Sequence, residues 1–465
     1  MEGAVVRLAS LTLEHIKNVK NGTIVMPFAG DADDHKSFAS EILGIYGQNG
    51  SGKTAIVDAL YYLQQIMTGQ AIGQNISDYI DVDETSAEIN AEFGIYKNDA
   101  FYEVGYHLSL ARIDGEIVVD REYLNCSIPK DGKKTNKIIF MDYQRKDPDP
   151  VFKPVKRLEE LIGKDKDIKT DLIVARKMAE KSNCSYIFGD SSREILFKKR
   201  NEEFEIYSLI IAALFEFALK DLFVIRNTHS GMITANFLLP MAFRVEKELI
   251  GVKGDFVVPL REPVVLDAER KELLDEIVSQ INMVLYTIIP GMSIEVKDYG
   301  KLAMDSGTEG WRVELMSVRE GKKPIPIRME SEGIIKIISI LNALILAFSN
   351  PSVCLAIDEL DAGIFEYMLG ELLDIFAKSA KGQLIFTSHN LRALEMLKKE
   401  SIMFSTANSN NRYIHMKNVK GTNNLRSLYI RSITLGGQDE VIYEETDSLK
   451  IAKAFRKAGR SLKNE

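Results

Sequence analysis

Gly47-Gln48-Asn49-Gly50-Ser51-Gly52-Lys53-Thr54 decides the reading of this chain. The octet fits G-x-x-x-x-G-K-S/T at every fixed position, and its surroundings fit as well. Residues 42–46 (Ile-Leu-Gly-Ile-Tyr) form a short apolar strand, and Ile56, Leu60, Leu63 and Ile66 follow at helical spacing. A strand, a glycine loop and a helix start make an anion cradle. Glycines let successive N–H groups curl around phosphate oxygens, and the helix start adds positive dipole. Lys53 supplies a point charge for the β- and γ-phosphates, and Thr54 offers a hydroxyl to Mg²⁺. The expected ligand is ATP, held by Gly47, Gln48, Asn49, Gly50, Ser51, Gly52, Lys53 and Thr54.

The second half of such a site lies far along the chain. Val353-Cys354-Leu355-Ala356-Ile357-Asp358-Glu359 is an apolar strand ending in two carboxylates. Asp358 can hold the Mg²⁺ shell, and Glu359 can polarise the attacking water. His389 ends a second apolar run 30 residues past Glu359, where a neutral imidazole can reach the γ-phosphate or orient water. Ser331-Glu332-Gly333 opens a long apolar helix 27 residues before Asp358. A hydroxyl and free N–H groups there form an anion site, or simply a helix cap. As a phosphate clamp, Ser331 and Gly333 would act in trans, which implies a head-to-tail pair with two ATP molecules between the copies.

In this order, the four elements resemble the ABC-type ATPase heads of the SMC, RecF and OLD class. The signature is divergent: Met329-Glu330-Ser331-Glu332-Gly333 stands where transporters carry L-S-G-G-Q. Asp361 sits where the class begins its D-loop, so it either contacts a partner or caps the helix that follows. A Q-loop glutamine is not assignable among Gln64, Gln65, Gln70 and Gln74. Lys53 and Asp358 are 305 positions apart, which argues against a transporter subunit, and the insertion is too short and aperiodic for long SMC arms. About 75 residues follow His389, too few for the TOPRIM nuclease domain of OLD proteins. The motif order and the tail from Asn424 to Thr446 resemble stand-alone ATPases of bacterial anti-phage systems, such as those of PARIS, Septu and abortive-infection pairs. That resemblance implies a sensor and scaffold that holds or activates a separate effector nuclease, with a phage protein as trigger.

Composition agrees with a globular protein. The 465 residues are 45% hydrophobic and 27% charged, with a net charge of −8. A globally basic nucleic-acid coat is excluded. Local clusters at Lys133-Lys134, Lys198-Lys199-Arg200 and Lys322-Lys323 keep a RecF- or SMC-like DNA-repair ATPase as the alternative. Cys126, Cys184 and Cys354 have no redox or zinc spacing, and the six histidines are scattered. These features indicate a cytoplasmic protein. The apolar stretches at 209–219 and 337–348 are shorter than the roughly 20 residues a membrane helix needs, so both are expected in the core.

The expected fold is α/β: a P-loop head with an antiparallel β lobe and an inserted, mainly helical arm. Residues 1–150 give the first part of the head and its lobe, 151–324 the arm or dimerisation region, and 325–465 the rest of the head and the tail. Asn21-Gly22 is expected as the turn of a first hairpin.

Overall fold

The structure is a computed structural model describing residues 3–27, 38–128, 135–149, 151–163, 165–198, 201–247, 250–304, 307–417 and 424–461. Two six-stranded sheets organise it. The head sheet runs, edge to edge, Tyr413–Ile414, Ile402–Ser405, Glu41–Tyr46, Gln383–Ser388, Cys354–Ile357 and Leu222–Ile225. Its pairings are parallel except for the first, Tyr413–Ile414 with Ile402–Ser405. The lobe sheet is antiparallel, in the order Val19–Val25, Val5–Ile16, Ser86–Lys97, Ala100–Ile113, Glu116–Cys126 and Ile138–Gln144.

Side-chain alternation explains the layers. In Glu41–Tyr46, Leu43 and Ile45 join the core shared with the lobe and the phosphate-loop helix Lys53–Met67. Ile42 and Tyr46 point the other way, to a second core. That core also takes Ile337, Ile340 and Ala343 of helix Glu332–Ser349, and Leu369 and Leu373 of helix Glu366–Ser379. Burying each such Leu or Ile contributes about 2 kcal/mol. Helix Glu332–Ser349 is apolar on two faces because it separates two cores: Ile335, Ile338 and Leu341 face a third one. By length and composition alone it could cross a membrane, but most of it is buried in protein.

Helices Val155–Ile162, Lys166–Ser182, Asp190–Leu196 and Glu202–Glu216 pack on the lobe, and Glu122 joins the two. This fully buried carboxylate accepts from Tyr106 Oη at 2.7 Å, Ser185 Oγ at 2.5 Å and the Tyr186 N–H at 2.6 Å. Burial raises its pKa despite these donors.

Two expectations are corrected. The arm expected at 151–324 is mainly helical in its first part only: among the described residues from 222 to 324, strands cover more of the chain than helices. Leu222–Ile225 pairs in parallel with Cys354–Ile357 and completes the head sheet from the middle of the chain. A hairpin of Leu238–Lys247 with Ile250–Pro259 follows, then the long strands Met292–Ala303 and Glu309–Arg319 beside helix Ala268–Ile288. The alternation of Leu239, Met241 and Phe243 was masked by Pro240 and the glycines that punctuate this stretch. Asn21-Gly22 is not a turn either. Both residues lie within strand Val19–Val25, and the chain reverses at Lys17-Asn18. Gly22 is required because a Cβ there would sit 2.7 Å from the Tyr413 ring.

Candidate nucleotide site

The phosphate loop leaves the buried strand Glu41–Tyr46 and enters helix Lys53–Met67. Gly47 is fixed by close approach, since a Cβ would stand 1.9 Å from Ser405 Oγ. Gly52 caps the helix in the left-handed region (φ 86°), which an L side chain adopts only with strain. Several parts of the chain hold the loop. Asn18 Nδ2 donates to the Gly50 carbonyl, and Tyr413 Oη donates to the Gly52 carbonyl at 2.6 Å. Ser51 and Ser405 hydroxyls bond each other, and Ser405 also donates to the Tyr46 carbonyl at 3.1 Å. Lys53 Nζ donates to the Gly47 and Gln48 carbonyls, both at 2.9 Å. Burial lowers its pKa, while the charges of Asp358, Glu359 and Asp361 oppose that shift.

The helix itself is anchored through Asp58, whose buried carboxylate binds Lys17 and Arg226. Arg226 follows the edge strand directly, and its guanidinium lies 4.5 Å from the centre of the Tyr61 ring. This clamp ties the phosphate-loop helix to both the lobe and the sheet edge. Sequence reasoning missed it, because Lys17 and Arg226 carry no motif.

Asp358 and Glu359 stand at the end of Cys354–Ile357, as expected. Thr54 Oγ1 donates to Asp358 Oδ1 at 3.4 Å, so two motifs 304 residues apart meet. One hydroxyl links the strands: Thr387 donates to Asp358 Oδ1 at 2.6 Å and accepts from the Glu359 N–H at 2.7 Å. Glu359 has φ 50°, a conformation that a non-glycine residue keeps only when its surroundings enforce it. Thr387 enforces it from one side. From the other, Lys336 Nζ donates to the Glu359 carbonyl. Lys336 is buried on helix Glu332–Ser349, and burial lowers its pKa against the pull of Asp361, Glu359 and Asp358. Thr387 and Lys336 were both missed. The one available signal was a lysine interrupting the apolar run after Gly333.

The donor set fits Mg²⁺. Asp358 Oδ2 is buried without a hydrogen-bond partner, and the Thr54 hydroxyl is beside the same carboxylate. Mg²⁺ is held by oxygen ligands, typically a carboxylate together with waters and substrate phosphates. Thr54 and Asp358 would hold the ion here, and it would neutralise phosphate charge. Among the described residues, no group of three or more His, Cys, Asp and Glu could hold a metal through protein ligands alone.

His389 follows strand Gln383–Ser388 and is exposed. Desolvation and the charge of Lys53 lower its pKa, which favours the neutral imidazole. The backbone N–H of His389 donates to Asp361 Oδ2 at 3.1 Å. Asp361 therefore does not cap helix Glu366–Ser379, where Phe365 is the N-cap residue. Ser331 is the N-cap residue of Glu332–Ser349, yet its side chain makes no capping bond, and it is exposed. Gly333 packs against the D-loop segment, where a Cβ would meet the Gly363 carbonyl at 1.9 Å. The start of helix Glu332–Ser349 and the segment after Asp361 therefore meet at the two glycines. Gln64, a Q-loop candidate, instead donates to the carbonyls of Ala218 and Leu222, and Gln65 donates to Tyr61 Oη.

The AAA ATPase domain family model matches residues 36–393. Over 100 residues the chain is 31% identical to the DNA replication and repair protein RecF of Deinococcus radiodurans. That stretch is 22% of this chain and only 24% of RecF. Among solved structures, the Pyrococcus furiosus Smc head domain with an extended coiled coil, bound to the C-terminal domain of ScpA, aligns over 88% of this chain and 96% of its own at a TM-score of 0.41 and 14% identity. The Thermotoga maritima SMC head domain aligns over 88% and 99%, at 0.38 and 14%. The family match spans the phosphate loop, Ser331, Asp358 and His389 together, and on that ground the chain belongs to the AAA ATPase domain family.

Proposed function

We propose that the protein is an Mg²⁺-ATP-dependent switch of the SMC/RecF-like, ABC type. ATP binds the phosphate loop of one copy and is closed over by Ser331 and Gly333 of a second. Glu359 activates water for hydrolysis, and His389 and Lys53 attend the γ-phosphate. The observation that carries this reading is the buried junction of Thr54, Asp358, Thr387 and Glu359, where a hydroxyl, an unpartnered carboxylate oxygen and a strained glutamate converge. Pairing follows physical logic: ATP shifts the monomer–dimer balance only through tighter binding to the closed pair. The biological setting we favour is cytoplasmic anti-phage defence, with a phage protein as trigger and a separate nuclease, TOPRIM-like or other, held or activated by the pair. Motif order and the tail sequence support that setting.

The test is ATP turnover by the purified protein, with Lys53→Ala and Glu359→Gln as controls. Turnover insensitive to both substitutions would sink the reading.

A RecF-like DNA-binding role is the second reading, favoured by the 31% identity over 100 residues. Lys322 and Lys323 are exposed, as is Lys198, whereas Lys133-Lys134 and Lys199-Arg200 lie outside the described residues. Duplex affinity that falls steeply with salt supports this reading. No binding at low salt removes it.

A further inference from the structure

The tail after residue 436 is tied to the phosphate loop. The Glu444 N–H donates to Gln48 Oε1 at 2.9 Å, and the Ala407 N–H donates to the Val441 carbonyl at 2.7 Å. Asn408 and Asn411 side chains donate to Glu440, and Ile442 is buried. Helix Ser448–Ser461 begins four residues after Glu444, within about 14 Å of extended chain. It therefore starts near the side of the molecule that bears the phosphate loop.

The helix is segregated by charge. At 100° per residue, Ile451, Phe455 and Ala458 share one side with Ala452 and Ala454. Lys450, Lys453, Arg456 and Lys457 share the opposite side, where Leu449 also lies, and the helix has no Asp or Glu. Its large apolar residues are uncovered: Leu449 is 81% exposed, Ile451 44% and Phe455 76%. A helix of 14 residues is marginal in water without packing on its apolar side. Small residues fill most of that side, which suits close approach to another protein surface better than insertion into lipid.

A surface of matching character exists on the same chain. Met329, Phe365 and Tyr367 are 68%, 66% and 54% exposed around the Gly333–Gly363 contact. The Phe365 and Tyr367 rings touch, with centroids 5.6 Å apart. Exposed carboxylates flank them at Glu332, Glu366 and Glu371. The helix carries +5, so the rest of the chain carries −13. The carboxylates of this surface match the cations of the helix, and Met329 and Phe365 match its apolar side, while Arg392 covers one face of the Tyr367 ring with its guanidinium 4.9 Å from the centre.

We propose that helix Ser448–Ser461 of one copy docks on the Met329, Phe365 and Tyr367 face of a second copy, as a latch on the ATP-bound pair. Ile451 and Phe455 meet the apolar residues, and the cations meet Glu332, Glu366 and Glu371. The latch rests on the pairing put forward under Proposed function. A head-to-tail pair brings the phosphate-loop side of one copy to the Ser331 face of the other, which sets helix and patch on the same seam.

The experiment measures ATP-dependent dimerisation of the full chain by analytical ultracentrifugation, in the Glu359→Gln background with Mg²⁺-ATP. The comparison chains end at Asp447, carry Phe455→Asp, or carry Phe365→Ser with Tyr367→Ser. Each is expected to raise the dimer dissociation constant about tenfold or more, with no further loss when helix and patch changes are combined. Binding of a fluorescent ATP analogue by the single copies should stay unchanged, which shows that the variants are folded. Lys453→Glu with Lys457→Glu should weaken pairing, and Glu366→Lys with Glu371→Lys in the partner should restore it. Equal pairing with and without the helix overturns the latch and leaves the switch standing. Unchanged pairing with helix-dependent binding to anionic vesicles or duplex DNA also overturns it, and assigns the helix to that surface. If the full chain itself fails to pair with ATP, the switch reading fails and the latch with it.

Discussion

The phosphate-loop half of the site and the Ser331 half are finished to different degrees. Around the loop, Asn18, Ser405 and Tyr413 grip backbone or side chain from three distant segments, and Asp58 pins the helix behind it. At the other end, Ser331 is exposed with no capping bond, and Met329 and Phe365 face solvent. Folding of one chain completes the first half. In the second half the Ser331 side chain makes no capping bond, and Met329 and Phe365 are left mostly uncovered. A site divided this way can be assembled and dismantled without unfolding anything, as the proposed switch requires.

Breaking the finished half should have the largest effect. Lys53→Ala is expected to lower turnover by at least about 100-fold, with loss of ATP affinity. Steady-state kinetics and equilibrium binding check both. Glu359→Gln should lower kcat by about 100-fold or more while ATP binding persists, so an ATP-bound pair should accumulate on sedimentation. Retained turnover would mean that another group activates water.

Ser331→Arg tests the division itself. It should abolish pairing and turnover yet leave single-copy ADP affinity within about twofold, because this half contributes nothing to the isolated loop. If ADP affinity fell with pairing, the two halves would not be separate.

Lys336→Met addresses the bridge between them. Loss of its bond to the Glu359 carbonyl should lower kcat by about tenfold with little change in nucleotide affinity. The smallest effect concerns pH. The pKa of His389 is held below its ordinary 6.5, so the ring is neutral at pH 7. Turnover should be level from about pH 7 to 8 and fall as the ring gains a proton below its ordinary range. His389→Gln should flatten that acid limb.

Much of this architecture was readable from residues alone, for physical reasons. The phosphate loop has a fixed backbone requirement, so Gly47, Gly52 and Lys53 announce themselves. The acidic strand end and Ser331 stand beside long apolar runs, which locate them. The supports of the site were not readable. Thr387, Lys336 and Tyr413 act through one or two hydrogen bonds to backbone or carboxylate across more than 20 residues, and no local pattern marks such a residue. Asn21-Gly22 misled because turn chemistry and tight packing both select glycine. The edge strand Leu222–Ile225 was hidden because four apolar residues after an apolar helix look like its continuation.

The order of strands in the head sheet has a consequence for the newborn chain. Glu41 finds its parallel partner at Gln383, 342 residues later. At ribosomal rates of roughly 5–20 residues per second, the phosphate-loop strand waits on the order of 17–70 s for a neighbour. Through that time its apolar edge depends on the lobe or on a chaperone for cover. A protein stopped short of residue 383 would hold the whole G-x-x-x-x-G-K-T motif and still lack a sheet to mount it on, so partial products of synthesis should be silent rather than half active.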